Sequence, residues 1–201
     1  MIDFLIRIDT TLFTFINSHH TLFFDKFFCI ISQLGNGWIA VPLVAAIIII
    51  ATPRARLARA LLYAVIAGTL AGIANTQVKR LTHRPRPVVC FEKRMENSGI
   101  TAKVHIVGRN WRENSFPSGH AATTFASAAI LALLYGGYFS LGFIPALFVA
   151  YSRVYMGVHF PSDVLGGAVL GSAIALLVIV FFRWKKYLPW RMLLRRNNVE
   201  Q

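Results

Sequence analysis

The sequence predicts an all-α integral membrane protein: a bundle of five to six transmembrane helices preceded by an N-terminal amphipathic or short helix. Of its 201 residues, 56% are hydrophobic and only 14% are charged, and the mean hydropathy is +0.56. That composition is too apolar for an ordinary soluble domain. Apolar runs alternate with polar segments, as expected for helices joined at the two faces of a bilayer. We expect one membrane domain over residues 1–201.

The chain is strongly basic. Lys and Arg outnumber Asp and Glu by 21 to 8, which gives a formal net charge of +13. In a chain this apolar, basic loops orient the spans and contact anionic lipid head groups. We therefore expect the lipid bilayer, and no nucleic acid, as the partner of these charges; the pattern does not predict an oligomeric state.

Residues 2–17 alternate apolar and polar side chains at roughly helical spacing, which predicts an amphipathic helix in an interfacial segment 1–20. A short first span is the alternative. Asp3 and Asp9 interrupt the apolar run, so a signal peptide is not expected. With Arg7, they should lie largely away from the apolar face. The residues expected on that face are Phe4, Leu5, Ile8, Leu12, Phe13, Phe15 and Ile16.

Two apolar segments follow, separated by a turn at Gly35 and Gly37. Residues 21–34 and 38–51 are each short for a bilayer about 30 Å thick, which needs about 20 helical residues. The pattern leaves two options open: two tilted helices, or one long helix broken at the glycines.

The central part of the chain predicts one helix and one long loop. The helix covers residues 57–79, where Gly68 and Gly72 are four apart and predict close packing against another helix. Residues 81–116 are polar and are predicted to form the longest loop, on the outer side.

Three further helical segments complete the predicted bundle. The turn expected between the first two lies at residues 136–138, and Gly167 and Gly171 form another small-residue pair in the last helix. The predicted helical segments are 118–135, 139–156 and 161–182.

Two basic segments predict the orientation. The loop 52–59 and the basic, aromatic tail 183–201 should both be cytoplasmic by the positive-inside rule. It follows that Lys79, His120 and His159 all lie at the outer ends of their helices.

The stretch from Arg153 to Asp163 carries charge between two apolar segments. Pro161 suits the first turn of a helix, and Asp163 can then reach back to one ring nitrogen of His159. This contact would fix the tautomer and leave the other nitrogen free to attack. The guanidinium of Arg153 matches phosphate oxygens. An interfacial histidine beside a helix-capping aspartate is the alternative reading.

Two other polar segments supply complementary groups. Ser118 occupies a helix-cap position, Gly119 allows a ligand close to the backbone, and free amides at a helix start bind phosphate. His120 can protonate a departing alkoxide or phosphate. Lys79 and Arg86 can clamp the oxygens of a five-coordinate phosphorus.

Together these segments fit an anion whose reaction needs a nucleophile and a proton donor. They lack the carboxylate pairs and His–Cys spacing of a metal site, so we expect no metal and no cofactor. His83 and Arg84 lie nearby and could support the phosphate-binding residues.

Three motifs stand in order along the chain: Lys79-x6-Arg86-Pro87, Pro117-Ser118-Gly119-His120 and Ser152-Arg153-x5-His159-x3-Asp163. They resemble the three-part signature of the type 2 phosphatidic acid phosphatase family, which shares its phosphate site with vanadium haloperoxidases. The resemblance covers roughly residues 55–182 and implies a helical membrane protein with six, sometimes five, spans.

The resemblance implies a role for each motif residue. His159 would be the nucleophile that forms a phospho-histidine, Asp163 would orient it, and His120 would be the general acid that later activates water. No metal is implied. The residues implied to hold the phosphate are Lys79, Arg86, Ser118, Gly119 and Arg153.

The function implied is that of a lipid phosphatase at the outer face of a bacterial inner membrane. Substrates of short bacterial members include undecaprenyl diphosphate, lipid A phosphates, phosphatidylglycerophosphate and phosphatidate. The basic loop 88–116 could select a head group with more than one negative charge. The alternatives are a lipid phosphotransferase using the same site, a vanadate-dependent haloperoxidase, which the membrane composition disfavours, and a non-enzymatic protein with a relic site.

Overall fold

Helices form the regular structure of this computed structural model, which describes residues 2–98 and 104–184. Short 3₁₀ turns lie at Gln33–Gly35 and Gly137–Gly142. The predicted all-α membrane class is confirmed, whereas most of the predicted basic tail lies outside the described residues. The α-helices are α1 (Ile2–Ser18), α2 (Leu22–Ser32), α3 (Gly37–Ala51), α4 (Arg54–Thr82), α5 (Pro87–Ser98), α6 (Gly119–Tyr135), α7 (Phe143–Tyr155) and α8 (Pro161–Trp184).

Within the described ranges, two helical stretches are long and apolar enough to cross a bilayer. They are Arg54–Lys93 and Pro161–Arg183. The segments Leu22–Gly35 and Gly37–Ala51, bent by 64° at their junction, pass the same test together and raise the number to three. Two helices thus meet at a sharp bend at the glycines, which is compatible with either two tilted helices or one broken helix. Helix α6 is apolar but shorter, and the predicted number of five to six spans is not confirmed.

Helices α6 and α8 pack closely because α8 carries two glycines on the contact face. A Cβ atom on Gly167 would lie 2.4 Å from the carbonyl oxygen of Ser118, and one on Gly171 would lie 2.2 Å from that of Ala122. Only glycine permits this approach of the two backbones. The predicted role of this small-residue pair is confirmed.

The other predicted pair, Gly68 and Gly72, behaves differently. A Cβ atom added at either position would meet no atom within 4 Å, and both residues line a cavity beside α4. The close packing that this spacing allows is not observed here, since no described residue meets either glycine. Their missing side chains leave space in the bundle.

The face of α1 that packs against the bundle differs from the predicted one. Asp9, Phe13 and Asn17 follow one another at four-residue intervals and are all buried, whereas Phe4 and Phe15 are exposed. The expected separation of Asp9 and Phe13 onto different faces is wrong. The carboxylate of Asp9 tolerates burial because it accepts hydrogen bonds from α8 and from an arginine described below.

The polar region 81–116, predicted to be a loop, contains helix α5. Pro87 begins this helix, a position that proline favours because its missing N–H would have no helical partner there. Val88 and Phe91 lie on its buried face, and the ring of Phe91 lies 5.4 Å from that of Phe13. The residues that follow from position 104 return over the end of α4 and the starts of α6 and α8.

Candidate active site

Three helix ends converge at one end of the bundle. Lys79 lies near the end of α4, Ser118 caps the start of α6, and Asp163 lies in the first turn of α8. The N–H of Ser118 donates to the carbonyl oxygen of Asp163 at 2.8 Å, and this bond joins the start of α6 to the start of α8. The structure thus brings the three predicted polar segments together.

His159 lies in the short connection between α7 and α8 and is 3% exposed. Its N–H donates to the carbonyl oxygen of Arg153 at 3.2 Å, which closes the connection tightly. Gly157 makes this turn possible, since its φ is +74° and a Cβ there would lie 2.2 Å from the carbonyl oxygen of His105.

The two ring nitrogens of His159 face different groups. Nδ1 lies 3.5 Å from Oδ2 of Asp163, and no hydrogen-bond partner satisfies it among the described residues. Nε2 lies 3.5 Å from Nη1 of Arg86. A guanidinium can only donate, so this placement leaves the lone pair on Nε2 and the ring proton on Nδ1, facing the carboxylate.

Asp163 is completely buried and is held by several donors. Its Oδ2 accepts from the N–H of Phe160 at 2.8 Å and from the hydroxyl of Ser115. Its Oδ1 accepts from Nη1 of Arg84 at 2.6 Å. These bonds fix the carboxylate behind the imidazole of His159.

Burial lowers the pKa of His159 to about 4. The carboxylate of Asp163 favours the charged imidazolium and opposes this shift, while the charges of Arg86 and Arg153 reinforce it. Because the pKa lies well below 7, the imidazole is neutral at neutral pH, as a nitrogen nucleophile requires.

Three cations lie near the pair of His159 and Asp163: Arg86 and Arg153 act on the charge of His159, and Lys79 interacts with that of Asp163. Nη1 of Arg86 donates to the carbonyl oxygen of Val158 at 2.8 Å, and Nζ of Lys79 donates to that of Asn114 at 2.7 Å. Arg153 is 8% exposed, and its buried Nε has no partner among the described residues. A buried donor without a partner is costly, so this atom points to an anionic ligand.

His120, in the first turn of α6, stands in the same electric field. The charges of Arg153, Arg86 and Lys79 all act on its ring. The 3₁₀ turn after α2 fixes its position, because a Cβ on Gly35 would lie 2.7 Å from the Cβ of His120. Gly119, beside it, leaves the start of α6 open to a ligand.

Three residues that hold this arrangement in place were not assigned to the site from the sequence. Ser115 and Asp9 bind Asp163 and its neighbours, and Ser32 of α2 accepts a hydrogen bond from Nη1 of Arg153. Arg84, expected only to support the phosphate-binding residues, pairs with carboxylates instead. Serines and aspartates on distant elements carry no local motif, so no signal in the sequence singles them out. His83, the other expected supporter, is exposed at the end of α4.

A cavity of about 590 Å³ leads from this site along the interior of the bundle. Helices α3, α4 and α6 line it, mostly with apolar side chains such as Val44, Leu61 and Ile130. Its polar end contains Asn75 and His120. Asn75 is buried, and its Oδ1 has no hydrogen-bond partner in the described part of the chain.

Comparison with known proteins places this arrangement in a family. The family model described as the PAP2 superfamily matches residues 56–187, which contain all three motifs. The chain belongs to the PAP2 superfamily. The recognition made from the three motifs is therefore confirmed.

Two PAP2-type relatives of known activity cover most of the chain. The lipid A 4'-phosphatase of Bacteroides thetaiotaomicron is 36% identical over 179 residues, which are 86% of this chain and 76% of that protein. The decaprenylphosphoryl-5-phosphoribose phosphatase of Mycobacterium tuberculosis is 32% identical over 142 residues, or 71% of this chain and 70% of that protein. Both relatives are phosphatases of lipid-linked phosphates.

A solved PAP2-type structure also resembles this fold. The crystal structure of Aquifex aeolicus LpxE superposes with a TM-score of 0.68 and 26% sequence identity, covering 84% of this chain and 93% of that one. The chain therefore shares the helix arrangement of this solved structure over most of its length.

Proposed function

We propose that this protein is a membrane lipid phosphatase that hydrolyses a phosphate monoester or diphosphate of a lipid through a phospho-histidine intermediate. The observation that carries the proposal is the pairing of a buried, neutral His159 with Asp163 behind it and cations before it. The cations are Lys79, Arg86 and Arg153. Such a site holds an anion and offers it a nucleophile.

In the first step, Nε2 of His159 attacks the phosphorus and a P–N bond forms. The bond between phosphorus and the leaving oxygen breaks. His120, which takes up a proton when the negatively charged phosphate binds among the cations, donates that proton to the leaving oxygen. The guanidinium groups of Arg86 and Arg153, with the hydroxyl of Ser118 and the N–H of Gly119, bind the equatorial oxygens as negative charge develops. Asp163 stabilises the positive charge that the imidazole gains.

In the second step, His120, now neutral, accepts a proton from a water molecule. The hydroxide that results attacks the phospho-histidine on the side vacated by the leaving group. The P–N bond breaks, inorganic phosphate leaves, and the neutral imidazole of His159 is restored. All charge stabilisation comes from protein groups, so we propose that the reaction needs no metal.

The apolar cavity supports a lipid substrate over a water-soluble phosphate ester. It opens beside His120 and runs between helices that the bilayer surrounds, so an acyl or prenyl chain can lie in it while the phosphate reaches the cations. Asn75, at the junction, can bond to the polar group that links chain and phosphate. The similarity to a lipid A phosphatase and to a prenyl-linked phosphatase favours these two substrate classes.

We propose that the site faces outward from the cytoplasmic membrane and that the C-terminus is cytoplasmic. The basic start of α4 and Arg183 of α8 lie at the end of the bundle opposite the site, where Arg183 donates to the carbonyl oxygen of Leu133 and Thr52 bonds Tyr135. Basic ends are retained on the cytoplasmic side. A reporter that is active only in the cytoplasm should be active when fused to the C-terminus. Activity of a C-terminal reporter that works only in the periplasm would contradict the orientation.

The test is phosphate release by the purified full-length protein from a panel of lipids. The panel contains undecaprenyl diphosphate, lipid A, phosphatidylglycerophosphate and phosphatidate, with His159→Ala as the inactive control. We expect release from at least one lipid by the wild type and none by the variant. Release that persists in His159→Ala, or no release from any lipid by the wild type, would contradict the proposal.

Two inhibitors test the mechanism on the same lipid. Orthovanadate, which adopts the five-coordinate geometry of the transferring phosphorus, should inhibit, because the cations favour that geometry. EDTA should leave the rate unchanged. A rate that falls with EDTA and returns with a divalent cation would show that metal independence is wrong.

A further inference from the structure

Arg84 lies two residues before Arg86, yet its guanidinium points away from the phosphate-binding cations and toward carboxylates. Nη1 donates to the hydroxyl of Ser162 and to Oδ1 of Asp163, both at 2.6 Å. Nη2 donates to Oδ2 of Asp9 at 2.6 Å. Both terminal nitrogens are therefore engaged by neighbours of the nucleophile.

Asp9 completes this network from a different element. Its Oδ1 accepts from the backbone N–H of Ser162 at 2.8 Å, and its Oδ2 accepts from the hydroxyl of Ser162 at 2.6 Å. Helix α1 thus supplies the acceptor for a free N–H in the first turn of α8, the turn that carries Asp163. Asp9 is 8% exposed, so these bonds are formed away from bulk solvent.

The network limits the directions open to the carboxylate of Asp163. Arg84 occupies Oδ1, while Ser115 and the N–H of Phe160 occupy Oδ2 and leave it facing Nδ1 of His159. A fully buried carboxylate is stable only when charge and hydrogen bonds compensate it. The guanidinium of Arg84 is the one cation that contacts it directly among the described residues.

We propose that Arg84 is a positioning residue of the reaction, which holds Asp163 against His159 and is itself held by Asp9 of α1. This proposal rests on the proposed function. It makes the N-terminal helix a part of the catalytic unit, because α1 fixes the arginine that fixes the aspartate behind the nucleophile. Arg84 is not a ligand of the phosphate in this arrangement.

The experiment compares variants of the full-length protein in detergent, with p-nitrophenyl phosphate as substrate and orthovanadate as the probe of phosphate binding. Arg84→Gln should lower kcat by about 10- to 100-fold, the size of effect typical of groups that orient a reacting residue. KM and the inhibition constant of vanadate should stay within about twofold of wild type, since the phosphate ligands are intact. The exposed Arg80, in the last turn of α4, provides the matched control Arg80→Gln, which should behave as wild type.

Asp9→Asn keeps the contact between Arg84 and Asp163 and tests the second link. It should lower kcat by less than Arg84→Gln, and the double variant should be no slower than Arg84→Gln alone, because both changes break one network. Arg84→Lys should retain more activity than Arg84→Gln. If Arg84→Gln fails to fold, Asp9→Asn still tests the proposal, because it should lower kcat while the inhibition constant of vanadate stays unchanged.

Two results would overturn the proposal. One is a kcat for Arg84→Gln within about twofold of wild type. The other is a loss of vanadate affinity in step with kcat, which would make Arg84 a phosphate ligand. Failure of the proposed function would give a different result: the wild-type protein would cleave p-nitrophenyl phosphate but none of the lipids.

Discussion

At His159, burial and a neighbouring carboxylate act in opposite directions on one ring. Burial prevails and lowers the pKa to about 4, so the imidazole stays neutral where an exposed histidine would be partly charged. The carboxylate of Asp163 does not keep the ring protonated; in the proposed reaction it stabilises the charge that develops when Nε2 attacks phosphorus. The same burial makes the native state sensitive to acid.

We predict that acid destabilises the wild type more than His159→Asn. The native pKa of about 4 lies below the ordinary value of 6.5, so between these values the unfolded chain binds a proton that the native state does not. Stability contributed by this residue is therefore complete above pH 6.5 and is lost as the pH falls toward 4. Thermal melts of both proteins in detergent should diverge across that interval, and parallel curves would show that the lowered pKa is wrong.

Arg153→Lys should lower kcat/KM by about 100-fold, although the charge is kept. An ammonium cannot hold Ser32 and also present a donor in the place of the buried Nε. Phosphate release and vanadate inhibition should weaken together, because the lost group binds the oxygens directly. Equal activity in the two proteins would indicate that only the charge at this position matters.

The sequence could predict the motif residues because their chemistry is specific to residue type and order. A histidine, an aspartate and an arginine at fixed spacing constrain the reaction before any fold is known. The role of Asp9 could not be predicted, since its partner Ser162 lies 153 residues away and only the packing of α1 on α8 brings them together. The roles of Ser32 and Ser115 could not be predicted for the same reason.

At the scale of helices, identical spacing of small residues has two different outcomes. Gly167 and Gly171 admit the backbone of α6, whereas Gly68 and Gly72 border empty space. Spacing shows that a helix has a flat face, but it does not show whether another helix or a cavity lies against it. The helical segments themselves were predictable from hydropathy, and α5 was missed because its buried face is short and its remaining surface is polar.

This difference predicts opposite effects of the same substitution. Gly171→Ala should lower the melting temperature, since its Cβ would meet the carbonyl oxygen of Ala122 and separating the helices costs about 1–3 kcal/mol. Gly68→Ala should leave it unchanged or raise it, because alanine favours a helix interior over glycine by about 0.5–1 kcal/mol. Melts of the two variants in one detergent provide the comparison; a larger loss in Gly68→Ala would show that this face is packed after all.

Across the whole molecule, an anion site lies at one end of the bundle and basic side chains lie at the other, with an apolar cavity entering from the side. This arrangement lets a lipid keep its chain among apolar helices while its phosphate is bound by cations. The position of the motifs at helix ends was predictable from the sequence. The cavity was not, because it arises from the distance between α3 and α4, which no single segment specifies.

Filling the cavity should therefore weaken the reaction with a lipid substrate and leave that with a soluble substrate unchanged. Gly72→Leu places a side chain in space that no atom now occupies, so the bundle need not move, but the path of a lipid chain narrows. KM for the preferred lipid should rise by about tenfold or more, while kcat/KM for p-nitrophenyl phosphate should stay within about twofold. Leu70→Phe adds bulk to an exposed position of the same helix outside the cavity and should change neither value. Two results would show that the lipid chain does not lie in this cavity. One is an equal loss of activity toward both substrates in Gly72→Leu, and the other is the same rise of KM for the lipid in Leu70→Phe.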